Sequence, residues 1–494
     1  MKTRLRTILP TLALDRHSSI PIYRQVYEGY RQAILTGQLR KDVQMPSTRE
    51  LALELRISRN SVMNAFDQLH AEGYIRGKHG SGTFVEAGGF TDDGSQNKRN
   101  SSLGILPSDL ISREATRIAN TGHMPASSPP IPFRRGLPAV DEFPLALWSR
   151  IVARCCRKTK SADLNYAEPQ GSFTFRCTIA EYVRNFRALK CDPEQIFVVS
   201  GSQQGLQLIT HTLLNESDVV YMENPGYPGA RSAFSAVGAS VLPVRVDNEG
   251  IDVNDAIRQG RAPKLIYVTP SHQFPLGVTM SLGRRLSLLD WAEQAAACVI
   301  EDDYDSEFRF VSRPLSSLQG LMPERVIYVG TFSKAMFPSL RLGYVILPKA
   351  LVPAFSDSRR SNDYCAPFLT QAAMNEFIVQ GHFARHLRRM RALYAERQSA
   401  MLGALRREFG DLVEISNTDT GMDLVLWLPK SINDIKASEL ASKAGILTMP
   451  MSFFYSTPAK RGGLFLGFGA INENLIKEGA RKLSRALLPL LSHR

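Results

Sequence analysis

Two kinds of hydrophobic pattern divide the chain. The first forty residues carry apolar positions at helical spacing, Val26, Tyr30, Ile34 and Leu35, which predict an amphipathic helix ending near Gly37. Pro46-Ser47-Thr48-Arg49-Glu50 follows with a capping box, Ser47 as N-cap and Glu50 three residues on, and Leu51, Ala52 and Leu55 form the inner face of the helix it opens. A second cap, Ser58, opens a third helix with Val62, Ala65, Phe66 and Leu69 inward and Arg59 and Asn60 outward near its start. Gly73 ends it. Tyr74-Ile75-Arg76 and Thr83-Phe84-Val85 then predict a hairpin around Gly77-Lys78-His79-Gly80-Ser81-Gly82, a flexible basic wing. Two short helices across a tight turn predict a helix-turn-helix, whose second helix meets base edges with its first turn.

Further along, the period changes. Short apolar runs rich in β-branched and aromatic residues, Ile196-Phe197-Val198-Val199 and Val326-Ile327-Tyr328-Val329 among them, predict buried strands. Between the halves, residues 87–130 are polar and rich in Gly, Ser and Pro, as in Asp92-Asp93-Gly94-Ser95 and Ser127-Ser128-Pro129-Pro130. A stretch that buries so little is expected to be a linker. The stretch Leu106–Ala119 is a candidate short helix within it. The expected organisation is a DNA-binding unit over 1–86, a linker over 87–130 and a large α/β domain with a C-terminal lobe over 131–494.

Charge adds a little. The 494-residue chain has net charge +13, which favours a polyanionic partner without identifying one. Residues 1–86 hold thirteen Lys and Arg against eight Asp and Glu, and the arginines lie where phosphates and bases would be. The six cysteines have no metal-ligand spacing, so no metal site is expected, and they read as reduced thiols of a cytoplasmic protein. The N-terminus lacks the pattern of a signal peptide, and no apolar run is long enough to span a bilayer.

The chemistry gathers at strand ends. In Gly330-Thr331-Phe332-Ser333-Lys334, one lysine follows a buried strand in a polar turn, with Arg341 seven residues on. Such a lysine can form an imine with an aldehyde cofactor, and the hydroxyl of Thr331 and the fork of Arg341 can hold a phosphate. An isolated Ser-Lys pair is more often a surface feature; the companions decide. Ser202 and Gln203 follow a strand in a glycine turn that opens a helix, which suits a phosphate. Tyr227, in Glu223-Asn224-Pro225-Gly226-Tyr227-Pro228, can lay its ring on a flat heterocycle. Asp302, in the acidic strand end Glu301-Asp302-Asp303-Tyr304-Asp305, can keep a pyridine nitrogen protonated, and Tyr304 can donate to the cofactor's phenolic oxygen.

These motifs, in this order, resemble the fold-type-I pyridoxal-phosphate enzymes of the aspartate aminotransferase superfamily from about residue 131 to 494. The resemblance implies a mixed, mostly parallel sheet with a small α+β lobe, Lys334 as the Schiff-base lysine, Asp302 as the pyridinium partner and Tyr304 beside the phenolic oxygen. Ser202, Gln203, Thr331, Ser333 and Arg341 fall around the phosphate. Tyr166, in Tyr166-Ala167-Glu168-Pro169-Gln170-Gly171, matches a tyrosine that reaches a phosphate across a dimer. Two positions depart. The family's Asn-Pro-x-Gly reads Phe274-Pro275-Leu276-Gly277, so His272 or Gln273 is expected to cover that side of the cofactor. The carboxylate-gripping arginine of a Leu-Arg-Leu-Gly-Phe segment is Phe465 in Leu464-Phe465-Leu466-Gly467-Phe468, leaving Arg461 or Arg231 as cations that could reach in.

The N-terminal part resembles the GntR-type winged helix, through Pro46-Ser47-Thr48-Arg49 and Ser58-Arg59-Asn60-Ser61-Val62. That resemblance implies Arg49, Arg59, Asn60, Ser61, Lys78, His79 and Gly80 as DNA contacts. A winged helix joined to an aminotransferase-like domain is the architecture of the MocR subfamily of bacterial GntR-type regulators. It implies a pyridoxal-phosphate-dependent regulator of promoter DNA, a domain-swapped homodimer that senses the cofactor itself or an amine effector through Lys334. The alternative is a working aminotransferase with a DNA-binding arm, using the same Lys334, Asp302 and Tyr304.

Overall fold

A computed structural model describes residues 12, 14–16, 18–78, 82–86, 111–119, 131–310, 316–416 and 420–491. It divides into two compact units, Met1–Leu106 and Pro107–Arg494.

In the first unit, α1 (Ile22–Leu35), α2 (Thr48–Leu55) and α3 (Arg59–Ala71) precede β1 (Ile75–Lys78) and β2 (Gly82–Val85). Both expected caps form. The Ser47 hydroxyl accepts from the Glu50 amide while the Glu50 carboxylate accepts from the Ser47 amide, and the Ser58 hydroxyl accepts from the Ser61 amide at 3.1 Å. Between α2 and α3 the chain turns on Arg56, which takes a left-handed conformation at φ 52°. Val26, Tyr30 and Ile34 of α1 meet Leu51, Val62, Phe66 and Leu69 in one small core, with the Tyr30 and Phe66 rings edge to face. The hairpin pairs Ile75 with Val85 and is braced by Arg76, which bridges Asp42 and Glu86 at 2.7 and 2.6 Å.

The second unit begins with α4 (Arg113–Ala119), a helix inside the stretch expected to be linker. It packs on a later helix, with Arg117 paired to Glu216 at 2.7 Å and donating to the Ala236 carbonyl. The main sheet comprises β3 (Ile196–Val199), β4 (Val219–Asn224), β5 (Ser240–Asp247), β6 (Gly250–Ile251), β7 (Leu265–Val268), β8 (Cys298–Asp303), β9 (Val326–Thr331) and β10 (Gly343–Ile346). Their spatial order is β3-β10-β9-β8-β7-β4-β5-β6. From β5 to β9 the pairings are parallel; β10 runs against both its neighbours and β6 against β5.

These strands read as continuous apolar runs because both faces are covered. On β3, Ile196 and Val198 enter one core while Phe197 and Val199 enter another. With β10 reversed on either side, β3, β9, β8, β7 and β4 all point their carboxyl ends at one edge, where ligands of open α/β sheets bind. A second sheet, antiparallel, forms the C-terminal lobe from β11 (Glu414–Ile415), β12 (Asp423–Trp427), β13 (Met449–Pro450) and β14 (Gly463–Gly467), in the order β11-β12-β14-β13. No helix among the described residues is long and apolar enough to cross a membrane.

Because α3 begins on a single hydroxyl cap, Ser58→Ala should cost the first unit about 1 kcal/mol in a denaturant titration, and Ser58→Asp should recover most of it. An unchanged midpoint would show that the Ser58 cap contributes nothing to the fold.

Candidate functional site: a cofactor cavity and a DNA-binding helix

A cavity of about 250 Å³ at the carboxyl edge of the main sheet brings together Ser202, Gln203, Tyr227, Asp302, Tyr304, Thr331, Ser333, Lys334 and Arg341. Each arrives from a strand end or the turn after it. Ser202 and Gln203 open α5 (Ser202–Leu213), which follows β3 through Gly201 at φ 98°. A Cβ on Gly201 would lie 3.5 Å from the Arg341 guanidinium, so the arginine fork rests against the helix start. Free backbone N–H groups, hydroxyls and a fixed cation at one corner make an anion site.

The acidic strand end resolves into distinct jobs. Asp303 pairs with Arg187 at 2.8 Å, Asp305 is turned to His272, and Glu301 lies 3.8 Å from Arg285. Asp302 lines the cavity, as Asp305 does, and has no cation for a partner among the described residues. Its Oδ2 accepts from the Tyr267 hydroxyl at 2.7 Å, and its Oδ1 is buried with no hydrogen-bond partner among the described residues. Burial pushes its pKa up to about 7, Asp303 and Asp305 adding to the rise and Tyr267 opposing it. A carboxylate in this state is poised for a cationic N–H donor from the cavity side.

Lys334 is also buried. Its Nζ donates to the Gly136 carbonyl at 2.5 Å, and the Gly136 amide donates to Asp423 Oδ1 at 2.8 Å. Gly136 sits at φ 67°, and a Cβ there would lie 2.7 Å from Nζ, so only glycine leaves the amine its place. Burial lowers the lysine's pKa; Asp423 opposes this and Arg135 adds to it. That favours the neutral amine, the nucleophilic form.

Tyr267, Asp423, Gly136 and Arg135 complete the cavity wall or its supports, and the sequence reading passed over all of them. Tyr267 lies in an apolar strand where a tyrosine reads as core. The other three come from segments with no motif of their own.

Neither His272 nor Gln273 lines the cavity. The His272 Nδ1 lies 2.9 Å from Asp305 and 3.0 Å from the Tyr304 hydroxyl, a support behind Tyr304. Burial would neutralise this ring, but Asp305 outweighs it and its pKa is raised. The Gln273 amide is spent on the Pro225 and Phe274 carbonyls. Phe274 itself faces the cavity, its ring 5.6 Å from Phe465 and 5.7 Å from Tyr227. The two departures from the family pattern are therefore neighbours, packed on one another and on Phe454. Of the candidate cations, Arg461 pairs with Glu414 and Arg231 donates to the Phe454 carbonyl at 2.7 Å; neither lines the cavity. Tyr166 is 84% exposed, beside Tyr364, and lies outside the cavity lining.

In the first unit, Arg59 and Asn60 are exposed on the first turn of α3 and Arg49 on that of α2. Ser61 is half-buried, its hydroxyl 2.9 Å from that of Ser58, so it serves the cap. Lys78 is exposed at the end of β1, over the Phe84 ring. His79 and Gly80 lie outside the described residues.

An anion corner, a buried carboxylate with one unpartnered oxygen and a buried lysine line one cavity, and they fit pyridoxal phosphate, which needs partners for a phosphate, a ring nitrogen and an aldehyde. Fold and site together define a pyridoxal-phosphate protein of the aminotransferase kind carrying a winged helix. The comparisons with known proteins agree. Residues 144–477 match the family Aminotransferase class I and II, and residues 22–85 match Bacterial regulatory proteins, gntR family. The probable rhizopine catabolism regulatory protein MocR of Rhizobium meliloti is 38% identical over 484 residues, 97% of each chain. The pyridoxine biosynthesis regulator PdxR of Corynebacterium glutamicum is 30% identical, over 96% of this chain and 98% of its own. Among solved structures, the α-aminoadipate aminotransferase LysN from Thermus thermophilus, complexed with N-(5′-phosphopyridoxyl)-L-leucine, superposes with a TM-score of 0.71 at 30% identity, over 78% of this chain and 99% of its own. The chain belongs to the MocR-type regulators of the GntR family: a DNA-binding winged helix fused to an aminotransferase-like domain with pyridoxal phosphate as cofactor.

The Asp302 geometry sets a pH signature. A folded-state pKa near 7 against an unfolded value near 4 means the cofactor-free protein holds a proton that the unfolded chain releases. Its stability therefore falls as pH rises between those values. Asp302→Asn should abolish this loss, gaining over the wild type on the order of 1 kcal/mol per pH unit across the window and levelling above it. The same variant should bind pyridoxal phosphate more weakly. Parallel melting curves of the two cofactor-free proteins from pH 4.5 to 8 check the sign; a constant difference would place the proton elsewhere.

Proposed function

We propose that the protein is a promoter-binding homodimer of the bacterial cytoplasm that reports the state of its pyridoxal-phosphate site to DNA. The observation that carries this reading is the union, in one chain, of a GntR-type winged helix and a cofactor cavity lined on one side by Phe274, against which Phe465 packs. The cavity has what holds the cofactor and lacks the arginine on β14 that would orient an amino acid's carboxylate for turnover. Promoter DNA meets the exposed Arg59 and Asn60 at the start of α3, with Arg49 and Lys78 beside them.

When bound, pyridoxal phosphate supplies an electrophilic carbon that reacts with primary amines and absorbs visible light. The protein's own groups do the rest. Arg341, Ser202 and Thr331 fix the phosphate end, Asp302 holds a proton at the ring nitrogen, and Tyr227 covers the ring. Lys334 supplies the amine, its charged form disfavoured by burial and its position set by the Gly136 carbonyl. The signal would be the cofactor itself or an amine that meets it beside Lys334. Either changes DNA binding only by favouring one arrangement of the dimer over another. The strong exposure of Tyr166 supports a partner subunit's cavity as its destination. The rival reading, a working aminotransferase, draws on the intact Lys334, Asp302 and Tyr304 and on the likeness to LysN.

Two variants should separate the functions. Arg59→Ala should lose specific promoter binding in a gel-shift titration while keeping the visible band. Lys334→Ala should lose that band and the response of DNA binding to pyridoxal phosphate, while still binding DNA. The regulator reading fails if Lys334→Ala responds as the wild type does, or if the wild type converts amino donors and keto acids at enzyme-like rates of about 1 s⁻¹ or faster.

A further inference from the structure

Asp305 and His272 stand directly behind Tyr304, both buried. The Nδ1 of His272 lies 2.9 and 3.0 Å from the two carboxylate oxygens of Asp305 and 3.0 Å from the Tyr304 hydroxyl. That hydroxyl donates to the His272 carbonyl at 3.0 Å, and the two rings lie 29° from parallel. We infer that Asp305 and His272 are positioning residues for Tyr304: they make its oxygen an acceptor from the imidazole and so aim its proton into the cavity, at the phenolic oxygen of bound pyridoxal phosphate. The inference rests on the reading of this cavity as a cofactor site and assigns the means by which Tyr304 is kept a donor there.

Proton count fixes the direction of each bond. An ionised carboxylate only accepts. The nitrogen facing both oxygens of Asp305 therefore carries a hydrogen, whether or not the ring is charged. Burial works against that charge, but Asp305 and Asp423 outweigh it, with Arg309 opposing them, and the pKa of His272 is raised. An Nδ1 that carries a hydrogen cannot accept from Tyr304. Its hydrogen is shared between Asp305 and the Tyr304 oxygen, and the phenol's own hydrogen must point elsewhere. In this structure it goes to the His272 carbonyl; the other direction open to it is the cavity, which Tyr304 lines. A phenol whose oxygen receives a hydrogen bond gives its own hydrogen more strongly, because successive bonds polarise one another. Burial, with Asp305, Asp423, Asp302 and Glu223 adding to it, holds the phenol's pKa well above its usual value, so Tyr304 keeps the hydrogen it has to give.

Three segments build this arrangement. His272 follows β7, Tyr304 and Asp305 follow β8, and the C-terminal lobe meets them through Gly421, just before β12. A Cβ on Gly421 would lie 2.3 Å from the His272 Cε1 and 3.1 Å from an Asp305 oxygen, and its φ is 88°. Glycine at 421 thus lets the lobe lie against the imidazole edge, where its backbone limits rotation of the ring. The position also carries weight because Phe274 replaces the family's asparagine and neither His272 nor Gln273 lines the cavity. Tyr304 is the donor that the family resemblance leaves for the phenolic oxygen.

The test follows the visible band of the full-length protein loaded with pyridoxal phosphate as pH is raised, and reads the midpoint of its colour change. A donor at the phenolic oxygen stabilises the anion there, so weakening that donor moves the midpoint up. Removing the Asp305 charge has a direct effect of the opposite sign. Burial lowers the pKa of Lys334, Asp423 and Asp305 oppose this and Arg135 adds to it, so a lost carboxylate disfavours the charged nitrogen. The two effects separate in a double-variant cycle. The shift made by Asp305→Asn should lie about one pH unit higher in the wild-type background than in Tyr304→Phe, where only the lost charge is felt, a difference the size of one hydrogen bond. Equal shifts in the two backgrounds overturn the inference. If Asp305→Asn fails to fold or to load, His272→Leu takes its place in the same cycle with the same expected difference. A wild type with no visible band would overturn the reading of the cofactor site and this inference with it, whereas a band whose midpoint shifts equally in both backgrounds overturns this inference alone.

Discussion

The cofactor site depends on charges held where water cannot reach. Asp302 faces the cavity with one oxygen held by Tyr267 and the other without a partner among the described residues. An isolated carboxylate in that position is costly, and it responds by holding a proton up to about pH 7. Lys334 is strained in the complementary sense, an amine whose burial works against its charge. Each group is poorly satisfied alone, and one bound molecule with a cationic ring nitrogen and an aldehyde satisfies both. The rest of the unit serves to hold them in register. β8 delivers Asp302, the neighbouring β9 leads to Lys334, and the reversed β10 returns the chain to seat Arg341 against the start of α5.

Much of this was legible in the sequence because its signals are local. A cap is a hydroxyl and the three residues after it, so Ser47 and Ser58 could be read directly. A strand followed by a polar turn is equally local, which is why Ser202, Asp302, Thr331 and Lys334 could be named before their geometry was known. What escaped is set by distance along the chain. Gly136 and Asp423, which aim the lysine, come from opposite ends of the unit, and nothing in either segment marks the other. Tyr267 was hidden because a strand tyrosine is equally suited to a core. The expectation for His272 and Gln273 failed for a different reason. The family resemblance put one or the other near the cofactor, but Asp305 and the carbonyls of Pro225 and Phe274 claimed their polar groups. The helix α4 was foreseen only as a candidate within a polar stretch, since its hold on the unit comes mainly from Arg117 reaching Glu216 and the Ala236 carbonyl.

Phe274 and Phe465 matter as a pair. Read separately, each is one departure from a family pattern. In the structure the rings meet: Phe274 lines the cavity, and Phe465 and Phe454 pack against it and each other as an apolar wall on that side. A wall of that kind keeps the cofactor's anchors and withholds the means of orienting an ordinary amino acid for turnover. It suits a domain that binds and reports, and the winged helix supplies something to report to.

The account stands or falls on whether occupancy of the Lys334 site is felt at the DNA. The most direct measurement is the affinity of the wild-type protein for the promoter beside its own gene, at one fixed salt concentration, first stripped of pyridoxal phosphate and then reloaded, with loading verified by the visible band. The account predicts that the dissociation constant changes severalfold or more on loading, or on adding an amine to the loaded protein. Identical affinities in the stripped, loaded and amine-treated states would contradict it.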